Sequence, residues 1–475
     1  MLHWPFILVL IHLVLIVRAL LVEGRDPYSR LAWVLALLLF PIASIVAYLL
    51  LGEPWVSGRF RRQADCAYKE LAKLQPDPLD DDAIEAIPEA DRGPFQVVQH
   101  ISRFAATSGN TVALMADSND AIAAMVAAMA AAEHHIHLTT YIWLTDRNGR
   151  SVVKALIAAA KRGVKCRVCA DAIGSRLMIR APQWEAMKQA GVKLCPSLGR
   201  EGRLSFIAAH RIDLRNHRKI LIIDGRVAFI GSQNLADPEF RIKAKFAPWV
   251  DIMLRVDGPV AAQNDILFAS DWVIEKGEDL SRELCGAPVT GTGDVTAVAF
   301  GTGPLSHRGA MSDAFVGLLY AANEEVVITT PYFVPDPPLL AALLSCGRRG
   351  VKTSLILPRH NDSRVIGAIS RALYPQLVDA GISLFEYRPG LLHAKTMVVD
   401  GVLCLLGSSN MDRRSLELNF ENNLLFHSRA VAALIRERQD SYLADSDAVD
   451  PDTARNRSVF KRLADNILTM AGALF

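Results

Sequence analysis

The chain opens with two apolar stretches and only afterwards settles into alternating strand and helix patterns. Trp4 to Val22 is apolar apart from His12 and Arg18, and Leu31 to Leu51 is an uninterrupted uncharged run. A helix needs ~20 residues to cross a bilayer, so each run predicts a transmembrane helix. The connection Glu23 to Arg30 is too short for a domain, which predicts a helical hairpin with both chain ends on one side. Trp4, Trp33, Tyr48 and Trp55 fall near the predicted span ends, where amphipathic rings settle. A cleaved signal peptide fits poorly, because a basic start and a small-residue cleavage site are missing. Arg59, Arg61, Arg62 and Lys69 follow the second run, whereas Arg25 and Arg30 in the loop are offset by Glu23 and Asp26. That bias places the bulk of the chain in the cytoplasm.

Residues 56–106 are mixed and polar, including Pro-Asp-Pro-Leu-Asp-Asp-Asp at 76–82, and read as a juxtamembrane linker. Beyond them the sequence repeats itself. Glu133-His-His-Ile-His-Leu-Thr-Thr-Tyr141 parallels Glu324-Glu-Val-Val-Ile-Thr-Thr-Pro-Tyr332, and Lys161-Arg-Gly-Val-Lys165 parallels Arg348-Arg-Gly-Val-Lys352. Ala190-Gly-Val and Ala380-Gly-Ile recur in the same order. Helix and strand signals alternating in two copies predict an α/β protein of two similar halves, 107–290 and 291–455, packed as a pseudo-dimer by domain duplication. The tail 456–475 sets Phe460, Leu463, Ile467, Ala471 and Leu474 near one helical face, for a membrane surface or for packing on the core.

Composition narrows the classes. With 51% hydrophobic residues the chain can bury a large core, so it is not disordered; Lys+Arg 52 against Asp+Glu 50 is too even for a protein that tracks nucleic acid along its length. Seven scattered cysteines do not form a secreted disulfide framework. Cys166 and Cys169 make a C-x-x-C inside a strand, without the second pair of ligands a zinc site needs.

Each half contains the same spaced residues. His217, Lys219, Asp224, Gly231-Ser232 and Asn234 in the first match His393, Lys395, Asp400, Gly407-Ser408 and Asn410 in the second, separation for separation. On a strand, residues two apart share a face, so each histidine sits beside its lysine. The apolar strand then ends in Asp-Gly, a hairpin signal, and the return strand brings Ser and Asn back toward His and Lys. Each half thus offers one imidazole, one ammonium, one hydroxyl and one amide. That inventory suits a phosphodiester: one histidine attacks phosphorus, the other protonates the leaving oxygen, and lysines and amides hold the nonbridging oxygens. No metal or cofactor is required. Asp224 and Asp400 are either turn residues or charge partners in the site, and Ser232 and Ser408 either form turns or contact phosphate.

Both copies match the HxK(x)4D(x)6GSxN signature of the phospholipase D superfamily. The N-terminal hairpin ending Tyr48 to Gly52, Thr330-Pro-Tyr-Phe-Val-Pro-Asp336, Leu392-His-Ala-Lys395 and Gly407 to Glu421 further resemble bacterial cardiolipin synthases, over nearly the whole chain. The resemblance implies two α/β/α sandwich halves and condensation of two phosphatidylglycerol molecules to cardiolipin and glycerol through a phosphohistidine, at the cytoplasmic face of the inner membrane. It further implies His217 as nucleophile, His393 as acid and then base, and Glu421 as support for a catalytic histidine; the symmetric motifs alone leave the two histidines interchangeable, and Glu421 could equally be an ordinary exposed carboxylate. Ser232 departs from the second glycine such enzymes often carry there. Hydrolysis of phospholipid, hydrolysis of nucleic acid and an inactive membrane scaffold are the competing functions; intact motifs disfavour the scaffold, and the hairpin and even charge disfavour a nucleic-acid partner. Homo-oligomerisation is left open.

Overall fold

The computed structural model describes residues 4–22, 27–53, 56, 58–72, 74, 82–199, 213–284 and 291–472. The N-terminal apolar runs form three helices, Trp4–Leu21 (α1), Pro27–Leu39 (α2) and Pro41–Leu51 (α3). The single helix expected over 31–51 is therefore broken. Pro41 disfavours helical backbone at the residue before it, and Phe40 sits at φ −127°, ψ 68°. Hydrogen bonds from Phe40 N–H to Ala36 and from Ser44 N–H to Phe40, both 2.9 Å, still bridge the kink. Among the described residues no single helix is long and apolar enough to cross a membrane.

Trp33 and Tyr48, expected at a membrane boundary, instead meet edge-to-face at 5.1 Å inside the hairpin with Leu15, Ala19 and Leu37. The side chain of Trp4 and all of Trp55 lie outside the described residues. Phe6, Leu13, Leu39, Ile42 and Leu49 leave the outer surface of the hairpin apolar and exposed.

The stretch expected to be a linker is folded against the body. Gly58–Ala72 (α4) buries Ala64 and Ala67 against Ile274 of the helix Pro259–Lys276, and the helix Glu89–Ser102 buries Phe95 and Val98 in the main core. Overall polarity concealed this, because apolar residues at helical spacing need cover only one face.

Two seven-strand units follow. The first comprises Thr107–Leu114 (β1), His135–Thr140 (β2), Lys165–Asp171 (β3), Lys193–Ser197 (β4), Ile220–Ile223 (β6), Val227–Gly231 (β7) and Met253–Asp257 (β9), with the short strands Arg215–Asn216 (β5) and Trp249–Val250 (β8) set apart. The second comprises Val295–Thr302 (β10), Glu325–Thr329 (β11), Lys352–Pro358 (β12), Ser383–Tyr387 (β13), Thr396–Val399 (β15), Leu403–Gly407 (β16) and Asn419–His427 (β17), with Leu391–Leu392 (β14) set apart and Ser446–Ala448 (β18) at the outer edge.

From the outside inward the orders are β4-β3-β2-β6-β7-β9-β1 and β13-β12-β11-β15-β16-β17-β10, and β1 pairs antiparallel with β10 to join them into one sheet. The duplication is thus a pseudo-two-fold relation across the β1–β10 seam. Helices cover both faces, so the strands are buried apolar runs such as Ile220-Leu-Ile-Ile223. Cys166 and Cys169, an odd interval apart on β3, are buried in different apolar clusters. The tail helix Val459–Gly472 lies beside the helix Arg364–Asp379, while Val459, Phe460, Leu463 and Ile467 stay exposed. It is not core; Leu474 lies outside the described residues.

Candidate active site

Two short ladders build the site, one from each side of the seam. Strand β5 runs parallel to the start of β17, and His217 N–H donates to the Phe420 carbonyl at 2.9 Å. Strand β14 runs parallel to β8, and His393 N–H donates to the Val250 carbonyl at 2.8 Å. Each ladder docks the residues before a histidine of one half against the residues before a carboxylate of the other. His217 Nδ1 consequently donates to Glu421 at 2.9 and 3.0 Å, and His393 Nδ1 donates to Asp251 at 2.5 Å. An acceptor-only carboxylate fixes the neutral tautomer, with the proton on Nδ1 and the Nε2 lone pair free.

The serines complete the same pattern. Ser232 Oγ donates to Asp251 at 2.6 Å and accepts from Ile252 N–H; Ser408 Oγ donates to Glu421 and accepts from Asn422 N–H. Their hydroxyls are thus engaged with the carboxylates, contrary to the direct phosphate contact weighed above. Tyr141 meets the His217 ring edge-on at 4.8 Å, and Trp249 lies 4.8 Å from the His393 ring.

Lys219 and Lys395 reach over their own histidines, Nζ donating to the carbonyl of His217 at 2.7 Å and of His393 at 2.5 Å. All four groups are buried, with exposures of 7%, 3%, 3% and 2% for His217, His393, Lys219 and Lys395. Burial outweighs the adjacent carboxylates and lowers both imidazoles to about 4, Lys219 to about 8 and Lys395 to about 7. Each histidine also feels the lysine of the opposite half, which marks one shared site rather than two. Burial alone would raise Glu421, yet His217, Lys219 and Ser408 hold it below the usual carboxylate range. Glu421 is fully buried, not an ordinary exposed acid.

Asn234 Oδ1 accepts from Ile142 N–H at 3.2 Å, and Asn410 Nδ2 donates to Ser415 Oγ at 3.2 Å. Both sit next to the histidine pair's strands, Asn410 with its Oδ1 buried and unpartnered.

Asp224 and Asp400 do not join this group. They occupy the opposite ends of the strands that begin after Lys219 and Lys395. Each is the first residue of an Asp-Gly turn with positive φ at both positions, 51° and 65° in one half, 50° and 63° in the other, as a type I′ hairpin requires. Asp224 accepts from the N–H groups of Glu133, His134 and His135, and Asp400 from those of Asn323, Glu324 and Glu325. Burial would raise Asp224, but the three amides outweigh it and lower it. They are turn residues, and the strand between them and the lysines, at ~3.3 Å per residue, separates them from the histidines.

Asp251 is the site residue that the sequence pattern did not disclose. It lies 19 residues after Ser232, whereas Glu421 lies 13 after Ser408, because the connection carrying Arg241–Phe246 is longer than the π-turn at Arg414–Leu418. An acid directly after a short apolar strand was the only signal available.

One further cluster has metal-ligand composition. His135 Nε2 and His137 Nδ1 contact the two oxygens of Asp265 at 2.8 and 2.6 Å. Arg167 Nη1 lies 3.2 Å from His137 Nε2, and a guanidinium only donates, so Nε2 is the acceptor and Nδ1 keeps its proton. The three side chains are hydrogen-bonded to one another and, through His137, to Arg167, and the cluster ties β2 to the helix Pro259–Lys276.

Residues 125–272 and 315–442 match the family described as cardiolipin synthase, PLD-like domain, and residues 6–53 match a phospholipase D-nuclease N-terminal region. Cardiolipin synthase A of Shigella flexneri and of Escherichia coli O1:K1 are each 33% identical over 459 residues, covering 94% of this chain and 93% of theirs. Among solved structures, phosphatidylserine synthase of Haemophilus influenzae is similar in fold, with TM-score 0.58 and 13% identity over 80% of this chain and 100% of that one. With paired HxK motifs on both sides of one seam, and relatives matching nearly end to end, the chain belongs to the phospholipase D-like cardiolipin synthase family.

Proposed function

We infer that the protein is a phosphatidyltransferase that converts two phosphatidylglycerol molecules into cardiolipin and glycerol through a phosphohistidine. The observation that supports this most directly is the crossed pair His217–Glu421 and His393–Asp251, each imidazole held with Nε2 free. His217 Nε2 attacks the phosphorus of the first lipid, forming a P–N bond as the P–O bond to the glycerol headgroup breaks. His393 gives that oxygen its proton and free glycerol leaves. A glycerol hydroxyl of a second phosphatidylglycerol then passes its proton to His393, attacks phosphorus and releases His217.

Both imidazoles rest neutral near pH 7, and a phosphate anion placed between them raises His393 so that it holds the proton it donates. Lys219 and Lys395, with the amides of Asn234 and Asn410, bind the nonbridging oxygens as charge builds. Glu421 and Asp251 orient the rings and stabilise imidazolium, and Ser232 and Ser408 orient the carboxylates. The assignment of His217 as nucleophile follows the resemblance.

The exposed apolar surface of α1, α2 and α3 supports insertion of the hairpin into a bilayer, with α2 and α3 acting as one kinked arm and the catalytic body on the cytoplasmic side. Solvating that surface costs about 1.5–3 kcal/mol per large side chain, which a lipid environment removes. Such a location lets a second lipid reach the intermediate from the membrane in place of water.

The test is incubation of the purified full-length protein with labelled phosphatidylglycerol, followed by lipid and glycerol analysis. Cardiolipin with equimolar glycerol is expected, reversed by added glycerol; phosphatidic acid as main product would make it a hydrolase. Trapped phosphate should sit on His217 in the His393→Ala variant, and trapping on His393 instead would reverse the roles.

A further inference from the structure

The catalytic groups lie at one end of the sheet, where β2 and β3 of the first half and β11 and β12 of the second finish. Thr139 pairs there with Ile220 and Thr329 with Thr396, each partner directly following a lysine of the site. The loops leaving that end are tied to the surroundings of the histidines. Asp171 closes β3 and accepts from Asn216 N–H at 3.0 Å and Gly174 N–H at 2.7 Å, and Ser175 Oγ donates to the Tyr141 carbonyl at 2.9 Å. On the other side Trp249, beside His393, stacks on Phe240 at 3.9 Å, where the segment Arg241–Phe246 begins. Lys243 of that segment pairs with Asp362 in the loop after β12, and Asp362 also accepts from the Tyr332 hydroxyl at 2.7 Å.

Outside the N-terminal hairpin and the tail helix, the described residues leave six large apolar side chains exposed, and four of them ride on these loops: Ile173, Leu177, Ile242 and Val365, each 45–50% exposed. Basic residues accompany them. Residues 172–180 carry Arg176 and Arg180 and no acid, and 239–246 carry Arg241, Lys243 and Lys245 against Glu239. The second of these segments belongs to the connection that is longer than its counterpart in the other half, so its basic and apolar tip is additional to the duplicated plan. The hairpin joins the body at the same end. Val56 is buried with Leu198, which follows β4, and with Leu214 and Leu418, which come three residues before His217 and Glu421. The chain from Leu51, the end of α3, to Val56 spans at most ~18 Å.

We propose that this end of the sheet is a docking face for an anionic lipid bilayer, in which Ile173, Leu177, Ile242 and Val365 enter the interface and the flanking arginines and lysines meet phosphate headgroups. Apolar side chains interleaved with cations suit such a surface, because the former leave water and the latter are drawn to its negative potential. The inference rests on insertion of the hairpin and deepens it. A hairpin alone tethers the body and leaves its tilt free, whereas two contact patches, one beside His217 and one beside His393, hold the site against the headgroups. The acceptor lipid then passes from the bilayer to the intermediate between the two patches.

The experiment places a nitroxide on full-length protein in vesicles of phosphatidylcholine and phosphatidylserine, at Leu177→Cys, at Ile242→Cys and, as control, at Arg226→Cys in the β6–β7 turn at the opposite end, each in a Cys66→Ala/Cys285→Ala background. Collisions with oxygen should exceed those with an aqueous nickel chelate at 177 and 242 and not at 226. Aqueous behaviour at both rim positions overturns the proposal, and so does dipolar broadening between copies, which would make the face a protein–protein contact. Leu177→Glu/Ile242→Glu should slow turnover of phosphatidylglycerol in vesicles about tenfold, as lost burial of two half-exposed apolar side chains does, and leave turnover of monomeric dihexanoyl phosphatidylglycerol within about twofold. Equal loss on both substrates would place these side chains in the catalytic site and overturn their role as lipid contacts. A wild type that makes cardiolipin from neither substrate would sink the transferase reading, while the collision data still decide the docking face.

Discussion

Glu421 belongs to the second half of the molecule, and the imidazole it holds, at 2.9 Å, is that of His217 in the first. The reciprocal pair, Asp251 with His393, crosses the seam in the opposite direction. Neither half therefore contains a complete acid–base unit, and the site exists only when β1 and β10 join the halves into one sheet.

Exchanging the carboxylates for amides tests this crossing. Glu421→Gln keeps the shape but can present a donor to Nδ1, favouring the wrong tautomer, so kcat should fall by about 10²–10⁴ with little change in KM. Asp251→Asn should act alike. Steady-state assay of cardiolipin formation reads the result; unchanged kcat in both variants would remove the positioning role.

Asp224 and Asp400 predict the opposite behaviour. Asp224→Ala leaves three amides without their acceptor and puts a β-carbon residue with no compensating side chain at positive φ, costing about 1–3 kcal/mol. The unfolding midpoint should drop while kcat of the folded fraction stays within about twofold, and Asp224→Asn, which tolerates the left-handed turn, should recover most of the loss. A large fall in kcat at normal stability would return this residue to the chemistry.

The lysines set an upper pH limit. Burial lowers Lys395 to about 7 and Lys219 to about 8, so raising pH through this window neutralises the ammonium groups that attract phosphate. KM for phosphatidylglycerol should rise between pH 7 and about 9, with a smaller effect on kcat because bound phosphate raises both lysines. Lys395→Met should raise KM at pH 6 and flatten the lower part of the rise; a KM independent of pH across this range would contradict the assignment.

The kinked hairpin makes a fourth prediction. If α1 and the α2–α3 arm lie in the bilayer, the full-length chain stays in the membrane fraction under alkaline carbonate, and an engineered cysteine near residue 300 resists labelling from the periplasmic side. Release of the chain by carbonate would refute insertion, and periplasmic labelling would refute the orientation.

Much of this was legible from residues alone, where the determinants are local. The period-two pairing of His217 with Lys219, the apolar Ile220–Ile223 run and the Asp224-Gly225 turn each depend on near neighbours, and the second copy repeats them. The break at Phe40 was missed, because hydropathy counts the 31–51 run as continuous although Pro41 lies inside it.

Other features depended on which distant segments meet. The choice for Asp224 between turn and active site is decided by strand length and by the amides of β2 lying opposite it. The partners Asp251 and Glu421 arise from parallel ladders between segments of opposite halves, β8 with β14 and β5 with β17, at unequal spacings from their serines. A local pattern fixes which side chains share a strand face, because backbone geometry repeats every two residues. It says nothing about which carboxylate faces which imidazole across a seam, because that pairing is set by the packing of the whole sheet.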